Sequence, residues 1–325
     1  MTWRVYTSTD SGVNQLTGEV GKLDDILNQI LVTGTGLAQP AAGWTRPFNT
    51  THVSVYTPGA GLGYSIHLDD NGPGAGTYKE ARLYGAESFA ALNTPTNQYP
   101  PTGTFANGLF VRKSATLDST TRTWIAAADE RTFYVFALTT DLAGAYCLIM
   151  GGEIFSEKGT TDLGRCGVIG RVTENSATMT DTVDASAAMA GIGTNLVGHY
   201  LARDDQNTVG SIAFGVQGDM GMNATGSTTV QVMVGSVAFP NRPDGNLKVA
   251  PLRVMQTAGG NYERGRLRGL WHLCHPTISV ADRQTLSGTG GLAGRSFVVV
   301  KGTPTSGGVG GHWLLETSDT VDTNL

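Results

Sequence analysis

The pattern of apolar and polar positions divides the chain into one helical segment and a long run of strands. From residue 16 to residue 32, apolar residues recur at steps of three and four, with acidic and amide residues between them. This period places the apolar side chains on one face of an α-helix. The face includes Leu23, Ile26, Leu27 and Ile30. The sequence therefore predicts an amphipathic helix over 16–32, whose apolar stripe packs either on the body of the protein or on a neighbouring subunit.

Beyond residue 40 the apolar residues fall in short, often alternating stretches separated by Gly, Pro, Asn and Asp clusters, a pattern typical of β-strands. The predicted strands are 52–56, 64–68, 109–113, 123–127, 132–138, 146–150, 166–172, 198–203, 210–217, 228–238, 247–256, 264–272, 296–301 and 312–317. One helix beside many evenly spaced strands favours an antiparallel sandwich or barrel over alternating βαβ units.

A polar stretch of small residues, 173–194, separates two sets of strands. We therefore predict three parts: an N-terminal helical arm (1–38), a first β-sandwich-like domain (39–175) and a second one (176–325). The turn-and-strand patterns of 99–112 and 239–254 resemble each other, which makes the two domains candidates for a duplication. The predicted fold class is mainly β, with two antiparallel β-sandwich-like domains and an N-terminal amphipathic helix.

Composition and charge narrow the function classes. The chain has 22 Lys and Arg against 27 Asp and Glu, a net charge of −5, and it contains no basic block. Nucleic acid is therefore not an expected partner. The longest apolar runs are far shorter than the roughly 20 residues of a membrane span, and no signal peptide is predicted. Three scattered cysteines do not form a disulfide framework, which favours assembly in a cytosolic environment.

The motifs that could carry chemistry each have a simpler interpretation. The segment 67–72 contains a histidine and two aspartates, but its Asp-Asn-Gly ending is a hairpin signal. The segment 271–276 contains two histidines and a cysteine, too few ligands for a closed zinc site. Glu153, Glu157 and Asp162 could form a glycosidase pair, yet no cluster of Trp and Tyr surrounds them in sequence. The sequence therefore predicts no catalytic residue, no metal and no cofactor.

Three arginines alternate along one predicted strand. Arg264, Arg266 and Arg268 would point to one face, while the residues between them point to the other. Such a stripe pairs with acidic residues of a neighbour or keeps an edge strand from aggregating. In a chain with only 15% charged residues we favour an interface.

Seven segments carry a resemblance to a known family: 4–12, 16–21, 41–48, 69–74, 80–85, 108–114 and 316–320. Together they resemble the structural proteins of tailed bacteriophages. The resemblance implies a virion component associated with the tail or baseplate, and it brings no catalytic residues with it.

The expected function is that of a non-enzymatic, multi-copy tail or baseplate protein, assembled in the host cytoplasm and located in the virion. Its expected partners are other copies of itself and other virion structural proteins. The candidate interface residues are Leu23, Ile26, Leu27, Ile30, Arg264, Arg266 and Arg268. Two alternatives remain open: a head-decoration or collar protein, and a carbohydrate-binding module that contacts a glycan on the host surface.

Overall fold

A computed structural model describes residues 2–71, 80–101, 108–114, 116–138, 146–171, 197–217, 247, 249–256, 262–273, 280–301 and 312–318. The fold is mainly β with antiparallel sheets and a single short α-helix, which confirms the predicted class. In the described residues, no helix is long and apolar enough to cross a membrane. The predicted strand 228–238 lies outside the described residues.

The strands of the first half are β1 (Arg4–Thr7), β2 (Thr45–Thr50), β3 (Val53–Thr57), β4 (Ser65–Asp69), β5 (Glu80–Ala91), β6 (Thr94–Tyr99), β7 (Leu109–Arg112), β8 (Trp124–Ala128), β9 (Thr132–Leu138), β10 (Tyr146–Glu153), β11 (Phe155–Ser156) and β12 (Cys166–Arg171). Those of the second half are β13 (Val197–Arg203), β14 (Val209–Gln217), β15 (Val249–Gln256), β16 (Tyr262–Leu273), β17 (Thr285–Ser287), β18 (Ser296–Lys301) and β19 (His312–Glu316). The helical elements are α1 (Lys22–Leu27), a π-helix (Asn28–Thr33) that continues it, and two 3-10 turns (Gly159–Thr161 and Gly290–Leu292).

The described strands pair only in antiparallel fashion. One series runs β1-β8-β9-β10-β12-β13-β14-β15-β16-β19-β18-β17. A second series, β2-β3-β4-β5-β7, joins the first at β12. The strand β6 pairs with β5, and β11 pairs with β16. The predicted boundary near residue 175 falls outside the described residues, but β12 and β13 on either side of it are neighbours in one sheet.

The sheet around β8 and β9 is covered on both faces. Alternate side chains of these strands enter two different cores, since successive residues of a strand point to opposite sides. The first core receives Trp124, Ala126, Ala128, Phe133, Val135 and Ala137. The second core receives Ile125, Ala127, Tyr134 and Phe136. Burial on both faces explains why these strands are apolar along their whole length rather than alternating.

The first core contains the predicted apolar stripe of the helix. Leu23, Ile26, Leu27 and Ile30 are each 0% exposed and pack against residues of β3, β4, β7 and β8. The prediction that these four side chains form an interface with a neighbour is therefore wrong. A buried apolar stripe has the same period whether the body of the protein or a neighbouring subunit covers it. The sequence pattern therefore could not distinguish these two cases.

The helix is shorter than predicted, because its first turn is replaced by an irregular segment. Leu16 forms a bridge with Arg122, and Gly21 has a φ of 83°, which interrupts a right-handed helix. Asp70 then caps α1 from another part of the chain, where its Oδ2 accepts the Leu23 N–H at 2.7 Å. In this structure the N-terminal segment is part of the body, because β1 also pairs with β8.

The second core joins the two halves of the chain. It contains Trp3, Leu148, Met150 and Ile154 of the first half together with Leu252, Val254, Leu267, Leu270, Val300, Trp313 and Leu315 of the second half. The opposite face of β16, β18 and β19 covers a third, smaller core around Trp271, Phe297 and Leu314. The strands β15 to β19 therefore form an outer layer. This layer packs on the sheet around β8 and β9, called the central sheet below.

Candidate functional site

The candidate site is a pocket on the outer layer, at the middle of β16. Its wall is formed by residues 266–271 of β16, Phe155 of β11 and Pro251 of β15, and it is closed by Arg295 and Glu316. The pocket is small and shallow, with a cavity volume of about 30 Å³. Three of its ten lining residues are arginines.

The register of three strands determines what surrounds Arg266. Phe155 on β11 and Arg253 on β15 lie directly opposite it, one on each side. Gly265 makes this close pairing possible, because its φ is 148° and a Cβ added there would lie 1.9 Å from the carbonyl oxygen of Phe155. A larger residue at position 265 would separate β11 from β16.

The three arginines of the predicted stripe have different environments. Arg264 is buried, and its Nη2 donates to the Oδ1 of Asp162 at 2.7 Å. Arg268 is also buried, and its Nη2 donates to the Oδ2 of Asp129 at 2.6 Å. Arg264 and Arg268 therefore each form an ion pair inside the protein. The prediction that these two residues form an interface is wrong. The register of β16 shifts against β15, so the simple alternation assumed for a regular strand does not describe its faces.

Arg266 alone of the three keeps its charge available. Its guanidinium carbon lies 4.8 Å from the centre of the Phe155 ring, a cation–π contact. Its side chain is half-buried, and it forms no ion pair with any residue in the described part of the chain. The opposite residue, Arg253, is neutralised by Glu263, whose two carboxylate oxygens accept from its Nη1 at 2.8 and 2.7 Å.

The floor of the pocket holds a carboxylate that is already satisfied. Glu316 is 0% exposed, and its Oε2 accepts from Trp271 Nε1 at 3.3 Å and from Arg295 Nη1 at 3.4 Å. Its Oε1 accepts the hydroxyl of Ser318 at 2.7 Å. The Arg295 guanidinium also lies over the Trp271 ring, at 5.7 Å from its centre. These contacts fix the orientation of Trp271 and Arg295 at the edge of the pocket.

The charges of the pocket do not balance. Arg266, Arg268 and Arg295 contribute three positive charges, while Glu316 and the Asp129 partner of Arg268 contribute two negative charges. One positive charge remains, and it is the charge of Arg266.

The other candidate clusters are occupied by structural contacts. Glu153 accepts the Leu62 N–H at 2.6 Å and forms an ion pair with Arg165, whose Nε lies 3.2 Å from its Oε2. Asp162 is the partner of Arg264. The two carboxylates are buried and paired with arginines, so both take part in contacts within the chain. Within the described residues, His, Cys, Asp and Glu form no group of three that could hold a metal ion. Of the segment 271–276, positions 274–276 lie outside the described residues.

Two features of the 67–72 segment are clear from its described part. Asp70 caps α1 and forms a fully buried ion pair with Lys113. His67 is stacked on Tyr84, with ring centres 4.4 Å apart, and burial lowers the pKa of its imidazole. The Asp70 carboxylate and the His67 imidazole therefore make structural contacts inside the protein.

Sequence reasoning found Arg266 but missed the residues that complete its pocket. Phe155, Arg295 and Glu316 lie far apart along the chain and meet only through the pairing of β11 with β16 and of β18 with β19. No local sequence pattern identifies these three residues, because they do not belong to one strand and so do not follow its two-residue period. The chain matches no family model and no curated protein in comparisons with known sequences.

Proposed function

We propose that the protein is a non-enzymatic structural component of a tailed-phage virion, present in multiple copies in the tail or baseplate. Placement in the head as a decoration or collar protein is the alternative within the same class. The proposal begins from the resemblance of seven segments to phage structural proteins. Its physical support comes from how the chain distributes its charge.

Charged side chains are used largely for internal contacts. Buried ion pairs join Asp129 to Arg268, Asp162 to Arg264 and Asp70 to Lys113. A further buried carboxylate, Glu153, pairs with Arg165. Each pair removes two charges from the surface of a chain in which only 15% of the residues are charged. Interfaces between subunits are depleted of charge at their centres.

The observation that carries the proposal is the end of the β5–β6 hairpin. It extends past β4, which pairs only with residues up to Ala86 of β5. Its exposed positions are all uncharged: Ser88, Ala90, Ala91, Asn93, Thr94, Thr96 and Asn97. An exposed, neutral and polar surface suits contact with another subunit, because no charge has to be stripped of water when the contact forms.

Incorporation into particles tests this proposal. We expect the chain to be present in purified particles of the phage that encodes it. We expect Thr96→Glu to reduce its incorporation at least ten-fold, because the new carboxylate would be buried without a partner at the subunit contact. Thr96→Ser is the matched control and should assemble normally. Absence of the chain from particles, or normal assembly of Thr96→Glu, would contradict the proposal.

The pocket at Arg266 favours a second candidate function, the recognition of a glycan on the host surface. Phe155 and Trp271 give the pocket aromatic walls, and its arginines supply hydrogen-bond donors. Apolar walls with a few fixed polar groups are typical of sites for small ligands. Binding to host polysaccharide on a glycan array would support this candidate, and absence of binding to any glycan would reject it.

A further inference from the structure

The buried pair of Lys113 and Asp70 has a chemistry that the buried arginine pairs do not have. Both side chains are 0% exposed, and the Lys113 Nζ donates to the Asp70 Oδ1. The ion pairs of Arg264 and Arg268 contain a guanidinium, which keeps its proton and is not a nucleophile. A buried lysine amine can give up its proton and then attack a carbonyl carbon. The fold therefore holds a nucleophilic nitrogen against a carboxyl group, with neither exposed to solvent.

The Asp70 carboxyl group is held in one orientation from two sides. The backbone N–H of Asp70 donates to the carbonyl oxygen of His52 at 2.8 Å, and its carbonyl oxygen accepts the Gly21 N–H at 3.1 Å. The side-chain Oδ2 accepts the N–H groups of Leu23 at 2.7 Å and Asp24 at 3.2 Å. Two fixed N–H donors on one oxygen stabilise the negative charge that develops there when a nucleophile adds to the carbonyl carbon.

The hydrogen-bonding groups around the pair match those of an amide. Lys113 Nζ donates to the carbonyl oxygen of Glu19 at 2.6 Å and to Asp70 Oδ1, and its third N–H has no partner among the described residues. An amide nitrogen would carry one N–H, which the Glu19 carbonyl satisfies. An amide oxygen has two lone pairs, which the N–H groups of Leu23 and Asp24 satisfy. An amide here would therefore leave no donor or acceptor without a partner.

Burial favours the uncharged form of the pair. It raises the pKa of the Asp70 carboxyl to about 6, although the Lys113 ammonium beside it acts in the opposite direction. The protonated carboxyl is the form that reacts with an amine, because its hydroxyl can leave as water. Two groups held in contact react with effective molarities of about 10⁵–10⁸ M. A neutral amide also removes the cost of keeping two charges away from water.

We propose that the folded chain joins Lys113 to Asp70 by an isopeptide bond between Nζ and Cγ. A proton passes from Nζ to Oδ1, and the free amine attacks Cγ. A second proton then passes from Nζ to Oδ1, the Cγ–Oδ1 bond breaks, and Oδ1 leaves as one water molecule. No oxidant, reductant or cofactor takes part. The bond ties the residue after β4 to the residue after β7, and it does not depend on the function of the chain in a particle.

The test is the intact mass of the full chain, purified in its folded form and measured by mass spectrometry after denaturation. We expect a mass lower than that of the linear chain by one water molecule. A tryptic digest should contain one branched peptide that includes both Asp70 and Lys113. Lys113→Arg keeps the positive charge but cannot form the bond, so it should have the full linear mass. Lys22→Arg is the matched control, since Lys22 is 38% exposed, and it should keep the loss of water.

Several results would overturn the inference. A folded wild-type chain with the full linear mass would show that the pair stays ionic. Loss of water without the branched peptide would indicate a succinimide at an aspartate, which hydroxylamine cleaves and an isopeptide bond resists. Loss of water that persists in Lys113→Arg would place the reaction at another residue. Circular dichroism shows whether each variant has folded, and if Lys113→Arg does not fold, the peptide map of the wild type decides the question.

Discussion

Individual charged residues in this protein mostly connect elements that lie far apart in sequence. Asp129, in the turn between β8 and β9, reaches Arg268 on β16 and so joins the central sheet to the outer layer. Asp129 also accepts the N–H groups of Arg131 and Thr132 through its other oxygen, which fixes its orientation. Asp162, which follows the 3-10 turn Gly159–Thr161, makes a similar connection to Arg264 on β16. Removing one partner of such a pair leaves a buried charge alone, which is the costly case.

The cost of breaking such a pair can be compared directly with that of an exposed one. Arg264→Met should lower the free energy of unfolding by about 3–5 kcal/mol, because Asp162 is left charged and buried. Arg253→Met is the control, since its pair with Glu263 is 38% and 33% exposed, and it should cost no more than about 1 kcal/mol. Urea denaturation measures both values. Equal losses would show that burial does not distinguish the two pairs.

His67 makes stability depend on pH. Burial lowers the pKa of its imidazole below the usual 6.5, and its Nδ1 has no hydrogen-bond partner in the described structure. The hydrogen bond with Asn93 and the nearby Asp69 oppose this shift of the His67 pKa, but burial is the larger effect. Below pH 6.5 the unfolded chain takes up a proton that the folded chain does not, so the free energy of unfolding falls as the pH falls.

The experiment compares wild type with His67→Gln between pH 7.5 and 5.5. We expect the slope of unfolding free energy against pH to be smaller in the variant, by up to about 1.4 kcal/mol per pH unit. Identical slopes would mean that another group causes the dependence.

At the level of elements, the pairing of β11 with β16 depends on one glycine. Gly265→Ala should lower the stability by more than the roughly 1–2 kcal/mol of a strained backbone angle, because its Cβ would meet the Phe155 carbonyl at 1.9 Å. It should also disturb the support of Arg266. Gly290→Ala is the matched control, as its φ is 59° with nothing near the added Cβ. Thermal unfolding of both variants is the measurement, and equal shifts in Tm would contradict the expected clash.

The helix and its π-helical continuation are core elements. Leu27→Ala should lower the free energy of unfolding by about 2–5 kcal/mol, because its side chain is 0% exposed in the first core. Lys22→Ala, on the half-buried side of the same helix, should change it by no more than about 0.5 kcal/mol. A loss below 1 kcal/mol for Leu27→Ala would show that the helix is a dispensable arm after all.

Most of the strands were predictable from sequence because their signal is local, but the predicted set did not include β1, β2, β5, β6, β11 and β17. The stretches 132–138 and 296–301 agree with β9 and β18, since turn residues mark both ends of each. The start of the helix was not predictable, because Gly21 and Asp70 determine it through a tertiary contact. For the site, the alternation along β16 identified Arg266, but the acids that bind Arg264 and Arg268 come from distant elements. The sequence pattern carries no information on which arginine is left without a partner.

At the level of the whole molecule, the second core makes the two halves of the chain interdependent. Tyr134 and Phe136 of the central sheet pack in the same core as Leu252 and Trp313 of the outer layer. Separating the outer layer from the central sheet would expose the apolar side chains of both to water. Cooperative unfolding follows from a shared core of this kind.

We therefore expect one unfolding transition for the full chain. Tryptophan fluorescence and far-ultraviolet circular dichroism should give coincident curves in urea. Two separated transitions would instead support two independently stable domains, with the boundary that the sequence predicts at residue 175.

The doubly covered central sheet also has a consequence for synthesis on the ribosome. The strands β8 and β9 emerge early, while the outer layer that covers one of their faces begins only at β15 and is completed at β19. At about 5–20 residues per second, the nascent chain waits roughly 10–35 s for that cover. During this interval an apolar, strand-forming surface is open to other nascent chains. We expect a holding chaperone to bind at β8 and β9, and slower translation of the segment that follows to lower the yield of folded protein.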